Sequence, residues 1–209
     1  MKRALLMVDI QNDFCAGGAL AVPDGDSTVD VANALIRYFK ARDEAVVATQ
    51  DWHPANHGSF ASAQKTEPYT QGKLDGLRQT WWPDHCVQHS EGAKLHPLLS
   101  SNEIDAVFQK GENPLIDSYS GFFDNGHRQK TQLDDWLFRH EIKQLVVLGL
   151  ATDYCVKFTV LDALTLGYDV TVITDGCRGV NLHPQDSLRA FQTMSAAGAT
   201  LMTFADFTY

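Results

Sequence analysis

Short apolar runs recur along this chain at residues 4–8, 45–49, 106–109, 145–149, 170–174 and 200–203, each bounded by polar or glycine-containing turns. Each has the length of a strand, and several are rich in Val and Ile. They are apolar throughout instead of alternating, which suits strands covered on both faces, as in a parallel sheet. Between them, residues 28–41, 132–140, 154–166 and 185–196 repeat Leu and Ala at spacings of three and four, the period of a helix face. Gly167 and Gly198 directly follow two of these segments, where a left-handed residue ends a helix. Strand and helix alternate, so the pattern predicts a doubly wound α/β fold. Its sheet is expected to be six-stranded and mainly parallel, with helices on both faces and right-handed crossovers.

Residues 52–104 break this rhythm: the stretch is rich in His, Pro, Gly and aromatic residues and has no clear helical period. Long ordered loops in compact domains are usually functional. No repeat or linker divides the chain, and residues 1–209 read as a single domain.

Composition narrows the function classes. With 209 residues, 44% hydrophobic and 21% charged, the chain can bury a core that needs neither disulfides nor obligatory assembly for stability. Lys and Arg number 17 against 26 Asp and Glu, a formal charge of -9, and no basic run offers a footprint for nucleic acid or an anionic membrane. The basic start reaches Asp9 too early for a signal peptide, and no apolar run approaches the roughly 18 residues of a membrane span, so a cytoplasmic location is expected. Cys15, Cys86, Cys155 and Cys177 form no CxxC pair, which argues for reduced thiols that act as nucleophile or as packing. No dinucleotide fingerprint, phosphate loop or Gly-x-Ser-x-Gly elbow is present.

In an open parallel sheet, ligands bind beyond the carboxyl ends of the strands. Asp9 ends the first predicted strand, Asp51 follows the second, Lys110 ends the third, and Cys155 opens the helix after the fourth. Singly, each reads as a turn, cap or surface residue. Together they place a carboxylate base, an ammonium and a thiol on one edge. A thiol at a helix start is expected to have a lowered pKa, with backbone N–H groups nearby for an oxyanion. Cys15, Cys86 and Cys177 lack that combination and read as packing. A second cluster is Asp51-Trp52-His53, with His57 four residues on and His85 in Trp82-Pro83-Asp84-His85-Cys86. Asp51 and His53, two apart in an extended segment, point the same way, and a third ligand would leave open positions on a metal. Spacing alone leaves a metal site and ordinary buried histidines equally open, and the space near His57 could be filled by that ring, by Ser59 or by water.

The strings Val8-Asp9-Ile10-Gln11-Asn12-Asp13-Phe14, Asp51-Trp52-His53-Pro54, Trp82-Pro83-Asp84-His85-Cys86, Lys110-Gly111 and Gly149-Leu150-Ala151-Thr152-Asp153-Tyr154-Cys155-Val156 closely resemble the nicotinamidase (pyrazinamidase) family of isochorismatase-like cysteine hydrolases. The match spans nearly the whole chain in order. Asp9, Lys110 and Cys155 alone would mark only the superfamily; Asp51, His53 and His85 narrow the resemblance. It implies an α/β isochorismatase-like fold and hydrolysis of nicotinamide to nicotinic acid and ammonia through a Cys155 thioester, in NAD salvage. Pyrazinamide is implied as a further substrate. Asp9, Lys110 and Cys155 would form the triad, the Ala151 and Cys155 amides the oxyanion hole, and Asp51, His53 and His85 the ligands of a divalent metal. That metal is expected to be zinc, with iron or manganese as alternatives. Phe14, Leu20, Trp82, Tyr119, Ala151 and Tyr154 would enclose the pyridine ring, and a cis peptide is expected near residues 150–152. The partner is a small molecule; the assembly is left open between monomer and homodimer.

Overall fold

In the computed structural model, which describes residues 1–208, the six apolar runs become strands of one sheet. Along the chain the main elements are β1 (Lys2–Val8), α1 (Ser27–Lys40), β2 (Ala45–Asp51), α2 (Ala61–Gln64), β3 (Gln71–Leu74), β4 (Leu77–Thr80) and β5 (Ala106–Lys110). They continue with α3 (Leu133–Arg139), β6 (Ile142–Leu150), α4 (Lys157–Thr165), β7 (Asp169–Arg178), α5 (Asp186–Ala196), β8 (Thr200–Met202) and α6 (Phe204–Thr208). The sheet order is β5-β2-β1-β6-β7-β8 and every pairing in it is parallel.

The connection from β1 to β2 runs toward one edge, whereas those from β6 to β7 and β7 to β8 run toward the other. Right-handed crossovers then put α1 on one face and α4 and α5 on the opposite one. Residues Val29, Ala32, Leu35, Ile36 and Phe39 form the buried stripe of α1. Phe39 stacks on Phe207 of α6 at 6.1 Å, so α6 shares that face. Both faces are covered, which explains why Leu5, Leu6, Val147 and Leu148 are all fully buried in consecutive pairs.

The chain reverses its winding direction between β1 and β6, which run side by side with Val8 opposite Gly149. This is the switch point of the sheet, and a crevice opens beyond its strand ends. Gly149 sits at φ +129°, and a Cβ there would lie 2.1 Å from the Val8 carbonyl oxygen. Only glycine lets the two strands close at the mouth of that crevice.

Three features depart from the expected layout. The segment 52–104 contains the helix α2 and an antiparallel hairpin, β3–β4, separate from the main sheet. Its strands are short and polar, and Asp75-Gly76 at the tip has φ of 49° and 81°, as a two-residue hairpin turn requires. β7 runs on to Arg178 past Asp175-Gly176, because the register against β6 shifts between Val147 and Gly149 and absorbs the irregularity. The helix expected from residue 154 begins instead as a π turn, Thr152–Val156, before α4 takes over. Among the described residues, no helix is long and apolar enough to cross a membrane.

Candidate active site and metal centre

Asp9 lies one residue beyond β1, in a left-handed conformation with φ 48°, and is fully buried. Its Oδ1 accepts a hydrogen bond from the Thr49 hydroxyl at 2.6 Å, and its Oδ2 is 2.9 Å from Lys110 Nζ. Lys110, the last residue of β5, is also buried, and its ammonium ties the site together. Its three hydrogens go to Asp51 Oδ1, to the Ser118 carbonyl at 2.9 Å and to Cys155 Sγ at 3.4 Å, so its contact with Asp9 is an ion pair. Cys155 lies in the π turn, 6% exposed, where the Ala151 carbonyl accepts the Val156 N–H at 3.1 Å. The Leu150–Ala151 peptide is cis, at the expected place.

Burial works against the charge on Lys110, but the carboxylates of Asp51 and Asp9 outweigh it and hold its pKa well above the ordinary value. Burial also acts to raise Asp51, yet Lys110 and His53 prevail, and Asp51 stays ionised with a pKa well below the usual carboxylate range. Asp9 has no histidine beside it; burial dominates over Lys110, and its pKa is raised. The two carboxylates thus divide into a fixed anion and a more basic group suited to accepting a proton. The expectation of a lowered thiol pKa does not hold. Burial, which outweighs Lys110, and the nearby carboxylates push Cys155 well above its ordinary value. The resting thiol is therefore protonated, with Asp9 as the neighbouring base.

Asp51 faces two ways. While Oδ1 meets Lys110, Oδ2 lies 3.5 Å from His53 Nε2 and 3.6 Å from His85 Nε2. The three residues present one donor atom each within 4.8 Å, all buried. Both rings are held from behind: His53 Nδ1 is 2.8 Å from the Gly111 carbonyl and His85 Nδ1 is 2.7 Å from the Pro83 carbonyl. A carbonyl only accepts, so each Nδ1 carries a hydrogen, and in the neutral ring each Nε2 is the atom left with a lone pair, on the side of Asp51. One carboxylate and two such imidazoles fit a divalent ion of the zinc, iron or manganese type. Gly111, at φ +72°, has no room for a side chain, since a Cβ would lie 2.4 Å from the His53 ring.

A pocket reaches this floor, lined by Phe14, Leu20, Trp82, Tyr119, Ala151, Tyr154 and Cys155, with Asp51 and His85 on the same wall. All six residues expected to enclose a flat ring therefore line one cavity. Trp82 and Tyr154 meet edge to face at 4.8 Å, and the Trp82 indole N–H donates to the Tyr119 hydroxyl at 3.2 Å. His57 and Ser59 are buried nearby, 2.7 Å apart between Nδ1 and Oγ.

Several contributors escaped the sequence reading. Gln11 fixes Asp51 through both backbone groups: its Nε2 donates to the Asp51 carbonyl at 2.9 Å, and its Oε1 accepts the Asp51 N–H at 2.8 Å. Asp117 and Val180 line the pocket, and Thr49 supports Asp9. Gln11 and Thr49 both lie at the carboxyl edge where the charged residues were found, and a search there for neutral hydrogen-bonding side chains reaches them. Asp117 sits in a loop with no distinguishing spacing.

The chain belongs to the isochorismatase family: the model of the isochorismatase domain matches residues 3–206. It is 76% identical over 204 residues to the nicotinamidase of Escherichia coli strain K12, covering 98% of this chain and 96% of that one. Among solved structures it resembles a nicotinamidase pyrazinamidase of Acinetobacter baumanii, with a TM-score of 0.93 and 39% identity over 99% of this chain and 98% of that one. It also resembles a pyrazinamidase of Pyrococcus horikoshii in complex with zinc, with a TM-score of 0.80 and 35% identity over 97% and 99% of the two chains.

Proposed function

We propose that this chain, acting as one hydrolase domain, hydrolyses nicotinamide to nicotinic acid and ammonia, and also deamidates pyrazinamide. The observation that carries the reading is the convergence of Lys110 Nζ on Asp9, at 2.9 Å, and on Cys155 Sγ, at 3.4 Å. That convergence sits at the floor of an aromatic pocket whose wall also holds Asp51 and His85. The names of the closely similar relatives point to the same substrates.

Asp9 accepts the thiol proton of Cys155, and the ammonium of Lys110 stabilises the thiolate as it forms. Sγ attacks the carboxamide carbon, and the amides of Ala151 and Cys155 hold the oxyanion; losing one such donor typically costs about 3 kcal/mol. Asp9 returns its proton to the nitrogen, the C–N bond breaks, and ammonia leaves a thioester at Cys155. Asp9 then removes a proton from water, which attacks the thioester carbon and releases nicotinic acid as the thiol is restored. Trp82, Tyr119, Tyr154 and Phe14 grip the flat ring and exclude bulk water. Asp51, His53 and His85 would hold a divalent metal, zinc by preference. When bound, it supplies a Lewis-acidic point for the ring nitrogen.

Ammonia release from nicotinamide tests this directly, with and without a chelator and with Cys155→Ala in parallel. Loss in the variant and reduction on chelation are expected. Full release by Cys155→Ala would refute the thioester route, and no release by metal-replete parent protein would shift the substrate to another amide.

A further inference from the structure

Three buried histidines crowd the metal centre, and their Nδ1 atoms are not alike. His53 and His85 each direct Nδ1 at a carbonyl oxygen, Gly111 and Pro83, so in the neutral ring Nε2 keeps the lone pair. His57 does the opposite. Its Nδ1 lies 3.2 Å from the backbone nitrogen of Ser59, which can only donate, so Nδ1 is the acceptor. The Ser59 hydroxyl, 2.7 Å from the same nitrogen, is placed to donate as well. The neutral His57 ring therefore carries its hydrogen on Nε2.

That Nε2 is buried and has no hydrogen-bond partner among the described residues. A buried N–H without an acceptor is destabilising, so it marks a place where one belongs. The His57 ring centroid is 4.3 Å from that of His53, and His53, His57 and Asp117 present donor atoms within 4.8 Å of one another. This trio shares His53 with the trio Asp51, His53 and His85. Asp117 is buried, accepts from Gln79 Nε2 at 2.7 Å and from the Ser118 N–H at 2.8 Å, and keeps further lone pairs free.

We propose that His57 is a positioning residue and not a metal ligand, donating its Nε2–H to a water that lies between it and the metal held by Asp51, His53 and His85. The inference rests on the metal reading above. The water would also donate to Asp117, giving it the two to four polar partners that a buried water needs. A spacing of four from His53 makes His57 look like a ligand; the Ser59 amide assigns it the other role.

Long-range proton–nitrogen NMR correlation of histidine-labelled protein reads the tautomers, without metal and with zinc. The expected spectrum shows His57 as the Nε2–H form in both states and His53 and His85 as Nδ1–H forms whose Nε2 signals move on zinc addition. Ser59→Ala should keep the His57 tautomer, because the amide remains. In competition with a chelator, His57→Leu should weaken zinc binding by about 10- to 100-fold, as loss of a supporting partner does. His57→Gln, which retains an N–H donor, should bind zinc close to the parent level, and the cobalt-substituted absorption bands of both should keep their shape. An Nδ1–H form at His57 whose Nε2 moves with zinc, or altered cobalt bands, would overturn the proposal. So would unchanged zinc affinity in His57→Leu. Failure of the parent to take up zinc would refute the metal reading itself, a result distinct from zinc bound through His57.

Discussion

Thr49 donates its hydroxyl hydrogen to Asp9 Oδ1 at 2.6 Å, and both residues are fully buried. The bond favours the charged carboxylate in a place where burial disfavours it. Thr49→Val keeps the shape and removes the donor, so Asp9 becomes more basic. The acid limb of kcat/KM against pH is expected to move upward by about one unit. An unmoved limb would mean that Asp9 is not the group that titrates.

Among the described residues, Lys110 is the sole counter-charge that Asp9 and Asp51 share at ion-pair distance. Lys110→Met leaves two carboxylates buried side by side. Removing one partner of a buried charge set costs about 3–5 kcal/mol, and chemical denaturation should register a loss of that order together with loss of ammonia release. Retained stability with lost activity would assign Lys110 to chemistry alone.

Gly149→Ala tests the closure of β1 against β6. Its Cβ would meet the Val8 carbonyl oxygen at 2.1 Å, from a φ of +129° that L residues rarely adopt. Destabilisation of at least about 1 kcal/mol is expected, with a fall in kcat because Asp9 and Cys155 hang from these two strand ends. A variant as stable and active as the parent would show that the crevice tolerates a wider gap.

Buried thiols limit stability at alkaline pH, and Cys15 and Cys177, outside the site, contribute alongside Cys86 and Cys155. Burial raises Cys177 from 9.0 to about 12, and burial with the nearby Asp26 does the same for Cys15. Above pH 9 the unfolded chain has lost protons that the folded chain retains, so rising pH favours unfolding. Stability is fully present below pH 9 and falls toward pH 12. Cys177→Ala should reduce the slope of unfolding free energy in that window by about 1.4 kcal/mol per pH unit. An unchanged slope would place the alkaline transition elsewhere.

The fold was legible because the strands are buried on both faces and read as unbroken apolar runs, as in Leu5-Leu6-Met7-Val8. The charged site residues were legible because the parallel sheet sends them to one edge: Asp9, Asp51 and Lys110 stand at neighbouring strand ends. The β3–β4 hairpin was not, since Gln71-Gly72-Lys73-Leu74 carries neither an apolar run nor a buried face. The protonation of Cys155 was not legible either. A helix start argues for a thiolate, and only burial beside two carboxylates reverses the sign. Asp117 accepts a hydrogen bond from the distant Gln79, which no local pattern announces.

Residues 110 and 111 are adjacent, and between them they hold both centres: the Lys110 side chain reaches Asp9, Cys155 and Asp51, while the Gly111 carbonyl grips His53 Nδ1. One peptide unit thus couples nucleophile and metal cluster mechanically. An engineer who grafts the Asp51, His53 and His85 trio onto a scaffold that has only the Asp, Lys and Cys set must import the glycine after the lysine too. Without it the transplanted imidazole would have nowhere to lie.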